Sequence, residues 1–396
     1  MEPDKDKHNN ISIDNINASA SPHSTGETKI TLEEFSCQTS PYSEKVNRYL
    51  EKELVFEYKK IEEAARYYPL AAGKRLRPVL CMLSADMFFS GASDKILPFA
   101  ASLEVIHNFT LIHDDIMDRD EYRRGHKTLH MVYGEAAAIN TGDVLFAKGI
   151  EFALKTELPE PTVLKIGKRL ARTVYEIGIG QQMDMDLSEM PLLPSPAPYA
   201  GPPGNKTPFA HHDWIEDIKA MYMRMIEKKT AVLFSTAAWA GGMAGSTVEG
   251  IKRADSVFVI DDKTIEALSE YGLCIGMAFQ IWDDYLDYTS KTKERGKDSC
   301  SDLREGKKTY PILAALKNAD DEQRKIIVDS FGKKGLTEKD VETVLKIIDI
   351  TGGFRETERI AGEYVKKAKR HLEPLPSGRE KDMLFALADI TVSRKK

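Results

Sequence analysis

The chain has 396 residues, of which 56 are basic and 62 acidic, and its formal net charge is −6. This length allows one large domain or two ordinary ones. The slight acidity argues against a nucleic-acid binder that works by bulk charge attraction. Hydrophobic residues make up 42% and charged residues 30%, the balance of a soluble globular protein. No apolar run reaches the roughly 18 residues that span a bilayer, so we expect a cytoplasmic protein.

The cysteines and the N-terminal residues agree with that location. Cys37, Cys81, Cys274 and Cys300 lie far apart in the sequence, a spacing that fits neither a disulfide framework nor a zinc site. The first ten residues, MEPDKDKHNN, have no apolar segment typical of a secretory signal. Both features indicate thiols in a reducing compartment.

Residues 1–40 have the composition of a disordered tail. They contain one aromatic residue, Phe35, and many Asn, Ser, Asp and Lys residues. Such a segment buries too little apolar surface to offset its ordering entropy. We therefore predict a tail over residues 1–40 and a single domain over residues 41–396.

The distribution of proline predicts helices in the domain. No proline occurs from Phe99 to Leu158 or from Phe209 to Tyr310, and proline is excluded from helix interiors. Apolar residues in both tracts recur every three or four positions, and the alternation typical of strands is scarce. The sequence predicts an all-α fold, a large helical bundle.

A proline-rich stretch interrupts these helices. Seven of the chain's 18 prolines lie between Pro191 and Pro208. We predict an insertion loop of polyproline character at about residues 187–212. A domain boundary is the alternative, but the chemistry described below needs residues from both sides in one site.

The first chemical motif is HDDIMD. It places Asp114, Asp115 and Asp118 at positions i, i+1 and i+4, so on a helix the three carboxylates point into one region. A solvated acidic face is the structural alternative. The triplet follows the apolar stretch VIHNFTLI, however, and therefore lies where a buried helix emerges.

A second motif, FQIWDDYLD, repeats the same spacing. Asp283, Asp284 and Asp287 follow the apolar run IGMAFQIW. Two such clusters in one site would repel each other and raise each other's pKa unless cations lie between them. Oxygen ligands favour Mg²⁺, which usually completes its shell with water and substrate phosphates. The pair of motifs predicts a magnesium cluster that holds a phosphorylated substrate.

Basic residues near both triplets could contact the phosphates, because Arg and Lys are the usual partners of phosphate oxygens. Each basic pair taken alone is more typical of surface charge. The pairs are Lys74 with Arg77, Arg123 with Arg124, Lys228 with Lys229, and Lys297 with Lys307. Neither a P-loop nor a dinucleotide-binding glycine motif occurs, and no spacing suggests a nucleophile.

These motifs together resemble those of the trans-type isoprenyl diphosphate synthases, the polyprenyl synthetase family. GKRLRP, LIHDDIMDRDEYRRG, GQQMDMD, EKKTA, FQIWDDYLD and DLREGKKTYP occur in family order from about Tyr42 to the C-terminus. The resemblance implies the isoprenoid synthase fold, with helices around a central cavity. It also implies a homodimer and a prenyltransferase that condenses isopentenyl diphosphate with dimethylallyl, geranyl or farnesyl diphosphate in isoprenoid biosynthesis.

The resemblance implies roles for individual residues. Both aspartate triplets would bind Mg²⁺ and, through it, the allylic diphosphate. Contacts to that diphosphate would come from Arg123, Lys229, Lys297 and Lys307. Thr230 and Gln280 would line the reacting region, and Gln181 and Asp184 match a further motif near the cavity. Isopentenyl diphosphate would bind to Lys74, Arg77, His107 and Arg124.

Product length in the family depends on the residues four and five positions before the first aspartate. Here these are Thr110 and Phe109. One aromatic at the farther position resembles archaeal-type geranylgeranyl diphosphate synthases, which predicts a twenty-carbon product. The chain departs from the family at Cys300, where glycine is common, and in its longer loop before His212.

Other functions remain open at this point. A farnesyl or longer-chain polyprenyl diphosphate synthase would use the same motifs. A class I terpene cyclase would share the fold and one aspartate motif, but FQIWDDYLD argues against it because cyclases normally carry an N-S-E type second motif. A non-catalytic subunit of a heteromeric synthase would usually have lost aspartates or arginines, and both triplets are intact here.

Overall fold

The structure is a computed structural model, and it describes residues 30–71, 73–193, 214–247, 260–290, 300–333 and 335–393. Within these ranges the chain forms seventeen α-helices, one π-helical turn and one two-stranded hairpin. The residues from Thr31 onward form one compact unit. The predicted all-α fold is confirmed.

The elements follow one another with short connections. The first half contains α1 (Leu32–Glu53), α2 (Lys59–Arg66), α3 (Leu76–Asp86), α4 (Ala92–Lys95), α5 (Leu97–Met117), β1 (Tyr122–Arg123), β2 (His126–Lys127), α6 (Leu129–Tyr133), α7 (Glu135–Leu154) and α8 (Glu160–Glu189). The second half contains α9 (Trp214–Ile226), the π turn (Glu227–Ala231), α10 (Val232–Thr247), α11 (Asp262–Thr289), α12 (Ser301–Glu305), α13 (Tyr310–Asn318), α14 (Asp321–Ser330), α15 (Glu338–Ile350), α16 (Gly353–Leu372) and α17 (Arg379–Ser393).

Helix α1 begins inside the predicted tail, so the boundary at residue 40 is wrong. Thr31 caps the helix, and its side chain and that of Glu34 form a reciprocal capping box. Phe35, Thr39 and Tyr42 recur at helical spacing and are buried. The polar composition of this segment hides an amphipathic helix, because the few apolar residues share one face. Residues 1–29 lie outside the described residues.

Helix α10 lies at the centre of the bundle. Its sequence is apolar on all sides, as expected of a helix without a solvated face, and it packs against α3 and α11. Close approach requires small residues: a Cβ added at Gly241 would lie 2.1 Å from the carbonyl oxygen of Cys81. Helix α11 continues the core to α16, and α5 packs along α7.

The proline-free tracts contain helices, with one interruption. Between α5 and α7 the chain forms the β1–β2 hairpin, which pairs Tyr122 with Lys127 and Arg123 with His126, and then the short α6. Helix α8 extends to Glu189, so the predicted start of the insertion near residue 187 is slightly early. Residues 194–213 of the predicted loop lie outside the described residues. No helix of the described chain is both long and apolar enough to cross a membrane.

Candidate active site

A cavity of about 530 Å³ lies where α5 and α11 end. This volume is typical of a small-molecule site. Carboxylates and cations dominate its lining, and a few apolar side chains, Leu111, Met225 and Ile226, complete it. The charged lining residues are Asp114, Asp118, Asp120, Asp184, Asp283, Asp284, Asp287, Asp302, Glu305, Arg123, Arg124, Lys229, Lys307 and Lys308.

The first triplet divides between the cavity and the protein interior. Asp114 and Asp118 line the cavity. Asp115 is fully buried, and it accepts a hydrogen bond of 2.5 Å from the Tyr68 hydroxyl and one of 2.6 Å from Arg123 Nε. Asp115 is not among the lining residues. Its geometry is that of a residue that positions Arg123, rather than the metal ligand that the resemblance implies.

The second triplet is held in a similar way. Asp284 accepts a hydrogen bond of 2.5 Å from the Tyr222 hydroxyl and one of 2.9 Å from Gln280 Nε2. Asp287 accepts hydrogen bonds from the Ser301 hydroxyl and from the backbone N–H of Asp302. In both triplets a tyrosine from a distant helix or loop therefore holds the middle aspartate. All three aspartates of the second triplet line the cavity.

The carboxylates destabilise one another. Burial raises the pKa of Asp284, and the carboxylates of Asp283 and Asp287 raise it further. Burial also raises the pKa of Asp114, with a further contribution from Asp118 that Lys229 opposes. A site that raises carboxylate pKa values in this way binds cations favourably, because a cation stabilises the ionised form.

Two lysines neutralise part of this charge. Lys229 Nζ lies 2.7 Å from Asp184 and 3.8 Å from Asp114. Lys307 Nζ lies 3.3 Å from Asp118 and therefore links the segment after the second triplet to the first triplet. Burial alone would lower the pKa of both lysines. The surrounding carboxylates have the larger, opposite effect, so both pKa values are raised.

A π-helical turn presents Lys229 and Thr230 to the cavity. Such turns are rare and occur mostly at functional sites. The turn packs directly against α8 at Gly180, where only a glycine leaves enough room. A Cβ added at Gly180 would lie 2.4 Å from the backbone nitrogen of Lys229. The Thr230 hydroxyl donates to Gln280 Oε1 at 2.9 Å, so the turn is tied to the helix that carries the second triplet.

A second group of basic residues lies beside the first triplet. Burial, Arg77 and Arg124 lower the pKa of His107 well below its usual value. Burial lowers the pKa of Arg77 to about 10. The buried Nε of Arg77 has no hydrogen-bond partner among the described residues, and its guanidinium lies 4.4 Å from the Phe234 ring. Lys74 is exposed nearby in sequence. This arrangement favours a bound anion.

The neighbouring Arg75 has a different role. It is 5% exposed and adopts a left-handed conformation with φ of 49°. Its guanidinium donates to Glu104 at 2.7 Å, to Asn47 and to the carbonyl oxygens of Pro69 and Ala71. Arg75 thus fixes the loop that carries Lys74 and Arg77.

The remaining predicted residues lie in several places. The Phe109 ring packs edge-on against His113 and is tilted by 50° relative to Phe146 of α7, and both ring centroids lie 5.4 Å away. The Thr110 hydroxyl donates to the carbonyl oxygen of His107. Neither residue belongs to the described cavity lining, whereas Leu111 does. Gln181 is buried at the end of α8, and its Oε1 has no partner among the described residues.

Two predictions concern the segment after the second triplet. Lys297 lies outside the described residues. Cys300 adopts φ of 57°, in the left-handed region that favours glycine, and it is fully buried. This explains why glycine is common at the position.

Sequence reasoning missed several residues of the site. Tyr68 and Tyr222 gave no signal, because their partners lie 47 and 62 residues away. Asp302 and Glu305 stand inside the motif DLREGKKTYP, so their acidity could have been noticed. Burial and the carboxylates of Asp287 and Asp284 raise the pKa of Asp302 well above its usual value.

The donor set fits a hard divalent cation. The cavity offers many carboxylate oxygens and no thiolate or imidazole ligand among its described lining residues, which is the chemistry that Mg²⁺ or Ca²⁺ prefers. In the described part of the chain, no three such side chains already converge closely enough to hold an ion. Asp118 and Asp114 instead pair with lysines.

Comparisons with known proteins agree with this site. Residues 58–348 match the family model described as polyprenyl synthetase. Geranylgeranyl diphosphate synthase from Methanosarcina mazei is 35% identical over 84% of this chain and 89% of its own length. The crystal structure of geranylgeranyl pyrophosphate synthetase from Pyrococcus horikoshii superposes with a TM-score of 0.77 at 32% identity, over 91% of this chain and 99% of that one.

A second solved structure is a polyprenyl synthase from Caulobacter crescentus complexed with calcium and isoprenyl diphosphate. It superposes with a TM-score of 0.76 at 29% identity and covers 93% of this chain and 100% of that one. The chain therefore belongs to the polyprenyl synthetase family. It is a prenyltransferase with the isoprenoid synthase fold, in a family that uses divalent metal.

The packing of the π turn gives a first prediction. Gly180→Ala would place a methyl group against the backbone of Lys229 and push the turn out of position, so we expect turnover to fall by about tenfold to a hundredfold, as is typical of displaced site residues. Gly362→Ala on α16 is the matched control, because nothing lies within 4 Å of a Cβ there. Steady-state kinetics of both variants test this, and equal activity would contradict it.

Proposed function

We propose that this prenyltransferase condenses isopentenyl diphosphate with dimethylallyl, geranyl and farnesyl diphosphate to give geranylgeranyl diphosphate. One observation carries the proposal: five of the six aspartates of the two triplets, all except Asp115, line a single cavity together with Lys229, Lys307 and Arg123. The names of the relatives, two of which are geranylgeranyl diphosphate synthases, support the substrate class and the product.

Mg²⁺ is the cofactor that we propose for this site. It would be held by Asp114 in the last turn of α5, by Asp118 directly after that helix, and by Asp283, Asp284 and Asp287 from α11. When bound, Mg²⁺ neutralises the negative charge that a diphosphate leaving group carries. Asp115 orients Arg123 toward the same region through its hydrogen bonds.

The cationic side chains bind the two diphosphates. Lys229, Lys307 and Arg123 line the cavity and contact the allylic diphosphate, and Lys297 is proposed to join them. Each of the three lining residues now pairs with a carboxylate, and exchange of that partner for phosphate oxygens keeps the charge balanced. Isopentenyl diphosphate binds at the second basic group, which consists of Lys74, Arg77, His107 and Arg124 and in which the buried Nε of Arg77 has no hydrogen-bond partner among the described residues.

The chemistry follows from these placements. The allylic C–O bond breaks, and the pyrophosphate takes the electron pair. The double bond of isopentenyl diphosphate attacks the allylic carbon, and a proton from the adjacent carbon then passes to the pyrophosphate. The oxygen atoms of Thr230 and Gln280, fixed by their mutual hydrogen bond, stabilise the positive charge on the allyl group. Leu111, Met225 and Ile226 keep water from the cation.

The metal site gives a second prediction. Asp114→Ala and Asp283→Ala should each lower turnover by about a thousandfold or more, because each removes a ligand from a cluster that stabilises the leaving group. Chelation of divalent metal should abolish turnover in the wild type. Asp321→Ala is the control, since this side chain is fully solvent-exposed. Near-normal turnover of either site variant, with its fold intact, would contradict the metal-cluster mechanism.

Product length is proposed to depend on Phe109. It precedes Asp114 by five positions, about 7.5 Å along the helix, and a growing chain reaches that depth after several isoprene units. The Phe109 ring occupies the space between α5 and α7 beside Phe146. Thr110 adds no second ring closer to the metals, which favours twenty carbons over fifteen.

A third prediction tests this assignment. Phe109→Ala should lengthen the product beyond twenty carbons, at a cost of up to about 3–5 kcal/mol in stability if the ring is fully packed. Thr110→Phe should favour fifteen carbons by adding a ring nearer the metals. Chromatographic sizing of the products at fixed substrate ratios tests both variants. Unchanged product length in both would show that the end of the cavity lies elsewhere.

We also propose that the enzyme is a homodimer formed through α7 and α8. Large apolar side chains stand exposed on both helices: Ile139 and Phe146, seven residues apart on α7, and Tyr175 and Ile179, four residues apart on α8. Such spacings place each pair on one helical face. An exposed apolar face of this kind is typical of a subunit interface.

Ile179→Glu gives the fourth prediction. A buried glutamate in the interface would cost several kcal/mol, so we expect the variant to be monomeric by light scattering at concentrations where the wild type is dimeric. Ile350→Glu on α15 is the matched control, because Ile350 is equally apolar and 65% exposed but lies on neither helix. A dimer that survives Ile179→Glu, or a monomeric wild type, would contradict the proposed interface.

A further inference from the structure

Lys308 is a cavity-lining cation for which the site described above has no role. It lies in the connector between α12 and α13, next to Lys307, and it lines the cavity. Only 6% of the residue is exposed. Its Nζ lies 3.5 Å from the carbonyl oxygen of Ser188, in the last turn of α8, and 5.4 Å from the Phe331 ring.

The charge of Lys308 is poorly compensated, in contrast to that of its neighbours. Lys229 and Lys307 each pair with carboxylates that raise their pKa. The Nζ of Lys308 forms no ion pair with any carboxylate of the described residues, and burial alone lowers its pKa to about 8. A long contact to one carbonyl oxygen satisfies one of its three N–H donors.

A buried ammonium group without an ionic partner is costly. The cost disappears when an anion enters the cavity, since a phosphate oxygen attracts the ammonium strongly in a site shielded from water. The flexible four-carbon stem allows Nζ to leave the Ser188 carbonyl without a change in the backbone. An anion-binding role therefore accounts for both the burial of Lys308 and its missing carboxylate partner.

We propose that Lys308 is a further diphosphate-binding residue, whose ammonium pairs with phosphate oxygens of the allylic substrate and of the pyrophosphate that it leaves. The inference rests on the proposed function. The competing role is structural: a lysine at the C-terminal end of a helix can stabilise its last carbonyl groups, and Ser188 occupies such a position in α8.

Two variants separate these roles. Lys308→Gln removes the charge but keeps an N–H donor for the Ser188 carbonyl, whereas Lys308→Met removes both. Lys381→Met is the matched control: Lys381 also donates to backbone carbonyls, those of Glu373 and Leu375, and lies 6.0 Å from the Phe385 ring. Lys381 is not among the cavity-lining residues.

The measurement is calorimetric titration of inorganic pyrophosphate into each full-length protein with excess Mg²⁺, at a pH of about 7, where Lys308 is charged. We expect both Lys308 variants to bind pyrophosphate about tenfold to a hundredfold more weakly than the wild type, the usual loss for one charge-assisted contact. Lys381→Met should bind like the wild type.

Other outcomes overturn the inference. Normal binding by Lys308→Gln, whether or not Lys308→Met is weakened or folds, would assign Lys308 to the end of α8 and not to the diphosphate. A wild type that binds no pyrophosphate with Mg²⁺ would overturn the proposed function and this inference together. A wild type that binds it while both variants bind equally well would overturn the inference alone.

Discussion

The repulsion between two clusters of carboxylates at the ends of two buried helices governs this structure. Asp114 and Asp118 on one helix and three aspartates on another line the same cavity. Burial and mutual repulsion raise the pKa of Asp284 and of Asp114, so the site favours any cation that enters it. Lysines at present supply part of that charge: Lys229 bonds to Asp184, and Lys307 reaches across to Asp118. In the proposed function, metal ions and a diphosphate would replace this internal charge balance.

The scaffold holds this unfavourable arrangement in place through hydrogen bonds to the aspartates from distant parts of the chain. Tyr68 and Tyr222 bind the middle aspartate of each triplet at 2.5 Å. The middle positions are thereby fixed, and the aspartates at i and i+4 remain turned toward the cavity. Arg75 does the same for the loop that carries Lys74 and Arg77, because its guanidinium donates to Glu104 and Asn47.

The sequence predicted the helical class and both triplets because helical periodicity and charge are local properties. A buried apolar run followed by Asp283, Asp284 and Asp287 predicts that a helix ends there and that the aspartates share one region of its surface. Periodicity does not say which distant side chain will cap a carboxylate, and so the role of Tyr222 and the inward orientation of Asp115 were missed. The start of α1 was missed for a related reason: composition averages over a segment, whereas Phe35, Thr39 and Tyr42 bury one face of it. The π turn at Lys229 depends on contact with Gly180, which no local pattern reveals.

Direct observation of the ions tests the central claim most sharply. Crystals grown with Mn²⁺ and inorganic pyrophosphate would reveal metal positions by anomalous scattering. We expect ions bound to Asp114 and Asp118 and further ions bound to the triplet at Asp283, all sharing pyrophosphate oxygens, with Lys307 moved from Asp118 to the pyrophosphate. Pyrophosphate bound without ions, or ions at one triplet only with the Lys307–Asp118 pair intact, would contradict the account.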